Sequence, residues 1–421
     1  MSRTVSLPYG KGLLEVKLPE NLQPEWIQPP EVTADPDPSR LIRESLDHPI
    51  GPVDAKRLKP GGKLGVAVLD GSRPNVNSLL LPALLEWLAS YSVEPSQVHL
   101  VLASGVHPRP SPEELDMILP EKIVGGCQLH FHDANDKSRL QFLGQTASGT
   151  PVQMNEVFMD CDFRVALGVI APHQFQGYSG GVKAAAIGLA GRETIEHNHA
   201  MMVDPDSKLG SYSTNPARQD TEAIGRMVQV DLALNLVLNR EDQVVTALSG
   251  NPFAVMEAGI PLCQEASCTR VEGEFDLMIA SAGGHPRDIN LYQAQKALAH
   301  ACLITRSGGT VILLAACPQG SGSQGFEEAV ADHPTPKQVI DRFSKGKFRI
   351  GAHKAFQIAR DVVDRKVYLR SELEDSEART YLLEPIATVE QALEASTFDL
   401  NKARVGLMPW ASKTIPLRAD N

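Results

Sequence analysis

Phe163-Arg164-Val165-Ala166-Leu167-Gly168-Val169-Ile170-Ala171-Pro172-His173-Gln174-Phe175-Gln176-Gly177-Tyr178-Ser179-Gly180-Gly181-Val182-Lys183 is the stretch on which the fold turns. Its apolar first part, residues 163–170, reads as a buried strand. A histidine follows the strand, then a flexible Gly/Ser turn, then a lysine among Val182, Ala184, Ala185 and Ala186. The lysine opens a helical stretch that closes on His197-Asn198-His199. A base, an amine, an anion-friendly turn and a metal-capable imidazole are therefore gathered next to one strand end.

Upstream the same strand–loop–helix alternation recurs. Residues 64–69 (LGVAVL) read as a strand, Asp70-Gly71-Ser72-Arg73-Pro74 as its loop and 78–89 as a helix. Residues 98–103 form the next strand, before Ser104-Gly105-Val106-His107-Pro108. Ser111 then opens a helix as a capping box with Glu114. Short strands are expected at 129–132 and, past a weakly patterned stretch from 263 to 274, at 275–280, 310–316 and 404–407. Helices are expected from Asp288 as cap to about Cys302, at 336–343, from Gly351 onward and at 389–395. This alternation predicts two α/β domains with largely parallel sheets and the active site in the cleft between them. The expected division is 1–270 plus the tail at about 405–421 as a cofactor-binding domain, and 271–404 as a smaller substrate-covering domain. Residues 1–60 read as irregular, with the proline-rich segment from Pro19 to Pro38 wrapping over a folded body.

Composition narrows the class. A formal net charge of -11 without a Lys/Arg-rich run argues against a nucleic acid partner. No apolar run is long enough for a membrane helix, and the N-terminus lacks the apolar core of a signal peptide. Six cysteines with no C-x-x-C pair point to no disulfide framework, so a cytoplasmic location is expected.

Several residues are chemically suited to a site at the strand ends. Arg73 can grip a carboxylate or phosphate while Asp70 accepts from a hydroxyl such as a ribose; the bland reading is a loop salt bridge. His107 sits in a rigid loop and titrates near neutrality, as an acid/base or a mere surface residue. His173 is better placed as a base. The turn Gly177–Gly181 can offer backbone N–H groups to an anion, although it lacks the spacing of a Walker A loop. Lys183, set among apolar neighbours, suits a nucleophile or anchor. On a helix His197 and His199 point about 200° apart, so one imidazole at most faces a given site. His130 and His132 read as strand residues with a packing role. Tyr292, Gln293 and Lys296 share one helical face and suit a small hydroxy carboxylate.

Taken together these motifs resemble the nickel-dependent lactate racemase family. The matching segments are D-G-S-R-P at 70–74, S-G-V-H at 104–107, P-H-Q-F-Q-G-Y-S-G-G-V-K at 172–183, H-N-H at 197–199 and G-G-H-P-R-D-I-N-L-Y-Q-A-Q-K at 283–296. They run in the family's order over essentially the whole chain. The resemblance implies a racemase or epimerase that inverts C2 of lactate or a related short-chain 2-hydroxy acid by hydride transfer. The implied cofactor is a nickel-pincer nucleotide (pyridinium-3-thioamide-5-thiocarboxylic acid mononucleotide with nickel). By motif, Lys183 is its covalent anchor, His199 the nickel ligand, and Asp70, Gly71, Ser72, Arg73, Ser179, Gly180 and Gly181 its further contacts. His107 and His173 are the implied acid/base pair, with Arg73, Tyr292, Gln293 and Lys296 holding the substrate. Cofactor-synthesis proteins are the implied maturation partners. Two rival readings of the same residues remain at this point. One is a Schiff-base aldolase or decarboxylase built on Lys183 without nickel; the other is a non-catalytic nucleotide or sugar-acid binding protein.

Overall fold

The structure, a computed structural model, describes residues 2–71, 74–332, 335–346, 348–349, 351–396 and 398–418. Ser72 and Arg73, both expected at the site, lie outside the described residues. The chain forms two compact units, Glu31–Ala266 and Met1–Pro30 with Ser267–Asn421.

In the first unit the sheet strands are β1 Leu64–Leu69, β2 Val98–Ala103, β3 Gln128–Phe131, β4 Phe163–Val169, β5 Leu232–Leu238 and β6 Val244–Gly250. Three helices matter to the site: α1 Lys183–Ala186, α2 Arg192–Ala200 and α3 Pro216–Val228. The strands lie in the order β6-β5-β4-β1-β2-β3, parallel except for the antiparallel β6 edge. Central strands β1 and β4 are buried at every position, which their unbroken apolar runs require once helices cover both faces. This is the order of a doubly wound nucleotide-binding sheet, reversing between β1 and β4.

In the second unit β7 Phe275–Ser281, β8 Thr305–Leu314, β9 Lys366–Arg370, β10 Glu384–Pro385 and β11 Val405–Met408 pair in parallel, in the order β10-β9-β8-β7-β11, and residues Glu25–Trp26 add an edge strand beside β11. The helices used below are α4 Leu291–Leu303 and α5 Ala352–Val362.

Three expectations change. Residues 2–19 are not irregular: Ser2–Tyr9 and Gly12–Pro19 form an antiparallel hairpin. Their alternation buries Leu7, Val16 and Leu18 with Leu277, Ile279, Ile312 and Leu407, so this segment belongs to the second unit rather than to the cofactor-binding one. The tail belongs there too, because β11 inserts beside β7 and Ile415–Arg418 pairs with Cys268–Val271. Nor is Asp288 the cap of α4. Asn290 caps it, accepting from the Gln293 N–H at 3.1 Å, while buried Asp288 accepts from the N–H groups of Gly10 and Ala316.

Candidate active site

Ligands of doubly wound sheets collect at the carboxyl ends of the strands where the order reverses. Asp70 follows β1 and His173 follows β4, the two strands flanking that reversal; His107 follows β2, the next strand over. One sheet end therefore carries all three.

Asp70 and His107 are a hydrogen-bonded pair, with His107 Nδ1 2.7 Å from Asp70 Oδ2. The carboxylate accepts, so Nδ1 carries a proton and the neutral ring keeps its lone pair on Nε2. Asp70 is largely covered, at 12% side-chain exposure, whereas His107 is 56% exposed and reaches toward solvent. Of the two readings of Asp70, a hydroxyl acceptor or a loop ion pair, the structure shows the carboxylate paired within the loops, with a histidine.

His173 has the opposite arrangement. The backbone N–H of Gln176 donates to its Nδ1 at 3.2 Å, so in the neutral ring the proton sits on Nε2. That nitrogen lies 3.4 Å from Lys183 Nζ. The two histidines thus differ in which Nε2 accepts and which donates.

The glycine turn follows His173, and part of its hydrogen bonding departs from expectation. Three of its N–H groups are spent within the protein: Tyr178 on Gln176 O, Ser179 on Ala171 O and Gly181 on Asn235 Oδ1. Those three are not offered to an anion, and α1 is a single four-residue turn. The glycines serve close packing. Gly180 has φ +92, and a Cβ there would lie 2.8 Å from Ile170 Cγ1 and 2.9 Å from Asn235 Oδ1. What the turn does offer is Ser179 Oγ, buried and without a hydrogen-bond partner among the described residues.

The turn's carbonyls are pinned by Arg218 of α3, which is fully buried. Its Nη1 donates to Tyr178 O at 2.8 Å and its Nη2 to Gly180 O at 3.1 Å, while Nε donates to Glu222 Oε1 at 2.7 Å. Removing one partner of a buried ion pair strands the other charge. Arg218→Met is therefore expected to lower stability by about 3–5 kcal/mol, read as a fall in the urea unfolding midpoint. An unchanged midpoint would mean the carbonyls are held in another way.

His197-Asn198-His199 lies on α2, and its middle residue is the anchor. Asn198 is fully buried, and its Nδ2 donates to Ala217 O, Asp220 Oδ2 and Thr221 Oγ1. Those partners fix the amide's orientation, so Asn198 Oδ1 must accept, from Gln176 Nε2 at 2.8 Å and from His199 Nδ1 at 3.2 Å. His199 accordingly carries its lone pair on Nε2, the form that a metal binds. The rings of His173 and His199 both meet the ring of Phe175, with centroids 4.9 Å away in each case. His197 points elsewhere, as helical spacing requires: its Nδ1 donates to Thr150 Oγ1 at 2.8 Å, and Thr150 donates to Asp220. His132 packs inward, with Nε2 on Ala190 O.

Sequence reasoning missed Gln176, Arg218, Asp220 and Asn235. Asn235 left a readable signal, a lone polar residue within Leu232-Ala233-Leu234-Asn235-Leu236-Val237-Leu238. In the second unit, the expected trio shares the first turns of α4, and Lys296 Nζ donates to Gln293 Oε1 at 3.1 Å. Tyr292 stands half-buried beside them.

Comparison with known proteins gives the family of the chain. The family model for the lactate racemase N-terminal domain matches residues 9–210, and that for the lactate racemase C-terminal domain matches 271–410. The chain is 29% identical over 377 residues to the lactate racemase of Lactiplantibacillus plantarum, covering 87% of this chain and 88% of that protein. It is 25% identical over 415 residues to the lactate racemase of Thermoanaerobacterium thermosaccharolyticum, covering 96% and 97%. The apoprotein structure of a lactate racemase from the latter organism superposes with a TM-score of 0.88 at 23% identity, over 99% of this chain and all of that one. A protein from Thermotoga maritima gives 0.62 at 18% identity, over 92% of this chain and 100% of that one. At those identities the superpositions speak for the fold alone.

Proposed function

The chain belongs to the lactate racemase family and is an isomerase, and from that premise we propose that it interconverts the enantiomers of lactate through a lysine-anchored nickel-pincer nucleotide. The observation that carries the proposal is the pair of histidines at one sheet end, each ring oriented through its Nδ1 by a partner within the protein. His107 has its Nε2 lone pair directed by Asp70, and His173 has its Nε2 protonated.

The cofactor fits the residues present. Lys183 supplies an amine beside His173, His199 supplies an imidazole in the ligand tautomer, and Ser179 supplies a buried hydroxyl with an unmet hydrogen bond. Among the described residues no three His, Cys, Asp or Glu side chains are grouped as a metal site. Nickel held through His199 would therefore draw its other donors from the nucleotide's sulfur arms, which suits a soft metal site. Gly71, Ser72, Arg73, Gly180 and Gly181 are assigned to the same group by motif. When bound, the cofactor supplies an electron-poor pyridinium able to accept hydride from C2 and return it.

The protein's own task is the hydroxyl proton. As hydride leaves C2, a lone pair on a histidine Nε2 takes the proton from the substrate oxygen, which avoids a carbanion. On return to the opposite face an imidazolium gives a proton back to the oxygen, since a neutral ring doing so would be left as an imidazolate. One ring must therefore start neutral and the other protonated, and the two exchange those states with each inversion. Tyr292, Gln293 and Lys296, with Arg73, are assigned to the substrate carboxylate. We also place the enzyme in the cytoplasm, a reading supported by six unbonded thiols, five of them buried. No described helix is long and apolar enough to cross a membrane.

The test is protein co-produced with cofactor-synthesis proteins, given L-lactate and followed by chiral analysis. Conversion to a racemic mixture with stoichiometric nickel is expected; nickel-free protein that inverts lactate, or loaded protein that does not, would refute the proposal. Asp70→Asn sharpens it. An asparagine can no longer enforce the Nδ1–H tautomer, so kcat is expected to fall by about 10²–10³-fold, less than the 10⁴ known for a fully buried Asp–His pair because His107 is half exposed.

A further inference from the structure

Lys354 of α5 is a lysine at only 6% exposure. Its Nζ donates to Gln295 Oε1 at 2.9 Å and lies 5.0 Å from the centre of the Tyr292 ring, within cation–π range. Gln295, itself fully buried, extends the chain by donating from Nε2 to Asp361 Oδ2 at 3.4 Å. A buried amine thus backs the helix that carries Tyr292, Gln293 and Lys296.

Its surroundings are defined. Burial is the largest influence and pushes Lys354 down to about 7; Lys296 across on α4 lowers it further, Asp361 opposes this, and Arg360 lowers it again. The neighbouring imidazoles do not share that range. His353 is held down to about 3 and His300 to about 4, chiefly by burial, so both are neutral near pH 7. Tyr292 is pushed up by burial and stays a phenol. The helix Pro336–Lys345, also packed on α5, meets it through Phe343 stacked on Phe356.

We propose that Lys354 is a positioning residue of the carboxylate site, taking up a proton as the substrate anion settles on Tyr292 and Lys296 and thereby tightening the grip on it. The inference rests on the assignment of those residues to the substrate carboxylate. Its physics is pairwise. An anion beside Lys296 offsets the Lys296 repulsion that adds to the effect of burial on Lys354, and the charged form is then favoured. An ammonium against the Tyr292 ring draws on its π electrons and makes the phenol a stronger donor to the same carboxylate.

The sign follows from the free site losing its proton at lower pH than the occupied one. Below both ionisations Lys354 is charged with or without substrate, and KM is lowest. As pH rises through the free-site ionisation, binding must bring in a proton and KM climbs. Above the occupied-site ionisation it levels off. Lactate is a carboxylate throughout, so the substrate does not titrate.

The experiment measures kcat and KM for lactate on cofactor-loaded enzyme from about pH 6 to about pH 9. For the native residue KM is expected to rise about tenfold, one unit of linked shift, with kcat moving less than about twofold. Lys354→Met should show the high alkaline KM at every pH, and Lys354→Arg, which never loses its charge, a low and flat KM. Calorimetry of lactate binding to the unsubstituted holoenzyme, in two buffers of different ionisation enthalpy, should report proton uptake near neutrality. This arm needs no variant to fold. A flat native KM with no proton uptake overturns the proposal. Lys296→Met separates the two claims. If it leaves KM unchanged, the carboxylate assignment itself fails; if it raises KM while Lys354→Met tracks the native profile, only the role of Lys354 fails.

Discussion

Replacing Lys183 with alanine is expected to abolish racemisation and to leave a polypeptide whose intact mass carries no nucleotide, even when the cofactor-synthesis proteins are present. Lys183 stands first in α1, its N–H on Gly180 O and its Nζ 3.4 Å from His173 Nε2, with Val182, Ala185 and Ala186 buried around it. To form an acyl or thioacyl bond an amine must offer its lone pair, and a primary amine is what Lys183 places beside His173. Lys183→Arg should be equally inactive, because a guanidinium keeps its charge and does not acylate. The same measurement separates the Schiff-base alternative. There the native protein shows an adduct only after substrate and reductant are added, and an unmodified mass on active enzyme would eliminate the anchor assignment.

The second large effect concerns the histidines. His107→Ala and His173→Ala are each expected to lower kcat/KM by about 10²–10⁴-fold, the usual worth of a positioned acid or base. The loss should be the same factor for D- and L-lactate. The enantiomers have equal free energy, so the ratio of forward to reverse kcat/KM is held at unity whatever residue is removed. Half of the reaction, by contrast, should discriminate. In a single turnover each variant should still yield pyruvate from the one enantiomer whose hydroxyl meets the remaining histidine, and the enantiomer spared should differ between the two. If both variants spare the same one, a single histidine serves both faces and the paired assignment is wrong.

How far this site could be read in the sequence varies from residue to residue. Asp70, His107 and His173 were placed at strand ends because the preceding apolar runs announce where each strand stops. The N-terminal hairpin escaped notice because Pro8, Gly10 and Gly12 look like breakers, although Leu7, Val16 and Leu18 keep the two-residue alternation. The glycine turn was legible as special, but not its packing against Ile170 and Asn235. Left-handed φ at Gly180 and Gly181 announces a tight turn, not the direction in which its N–H groups point. Arg218 and Glu222 look like an ordinary surface pair at helical spacing, and only their complete burial shows otherwise.

The sequence by itself determined the alternation of strand and helix, the identity of the chemical groups and their order, since periodicity and local turn chemistry act over a few neighbouring residues. The tertiary structure decided which groups share a proton. Asp70 meets His107 across 37 positions, Arg218 reaches Tyr178 across 40 and Lys354 finds Gln295 across 59. It also decided which unit owns the chain's two ends. Hydrogen bonds, tautomers and the loss of solvent around a charge depend on distances through space, and those distances exist only once the sheets have brought remote segments together.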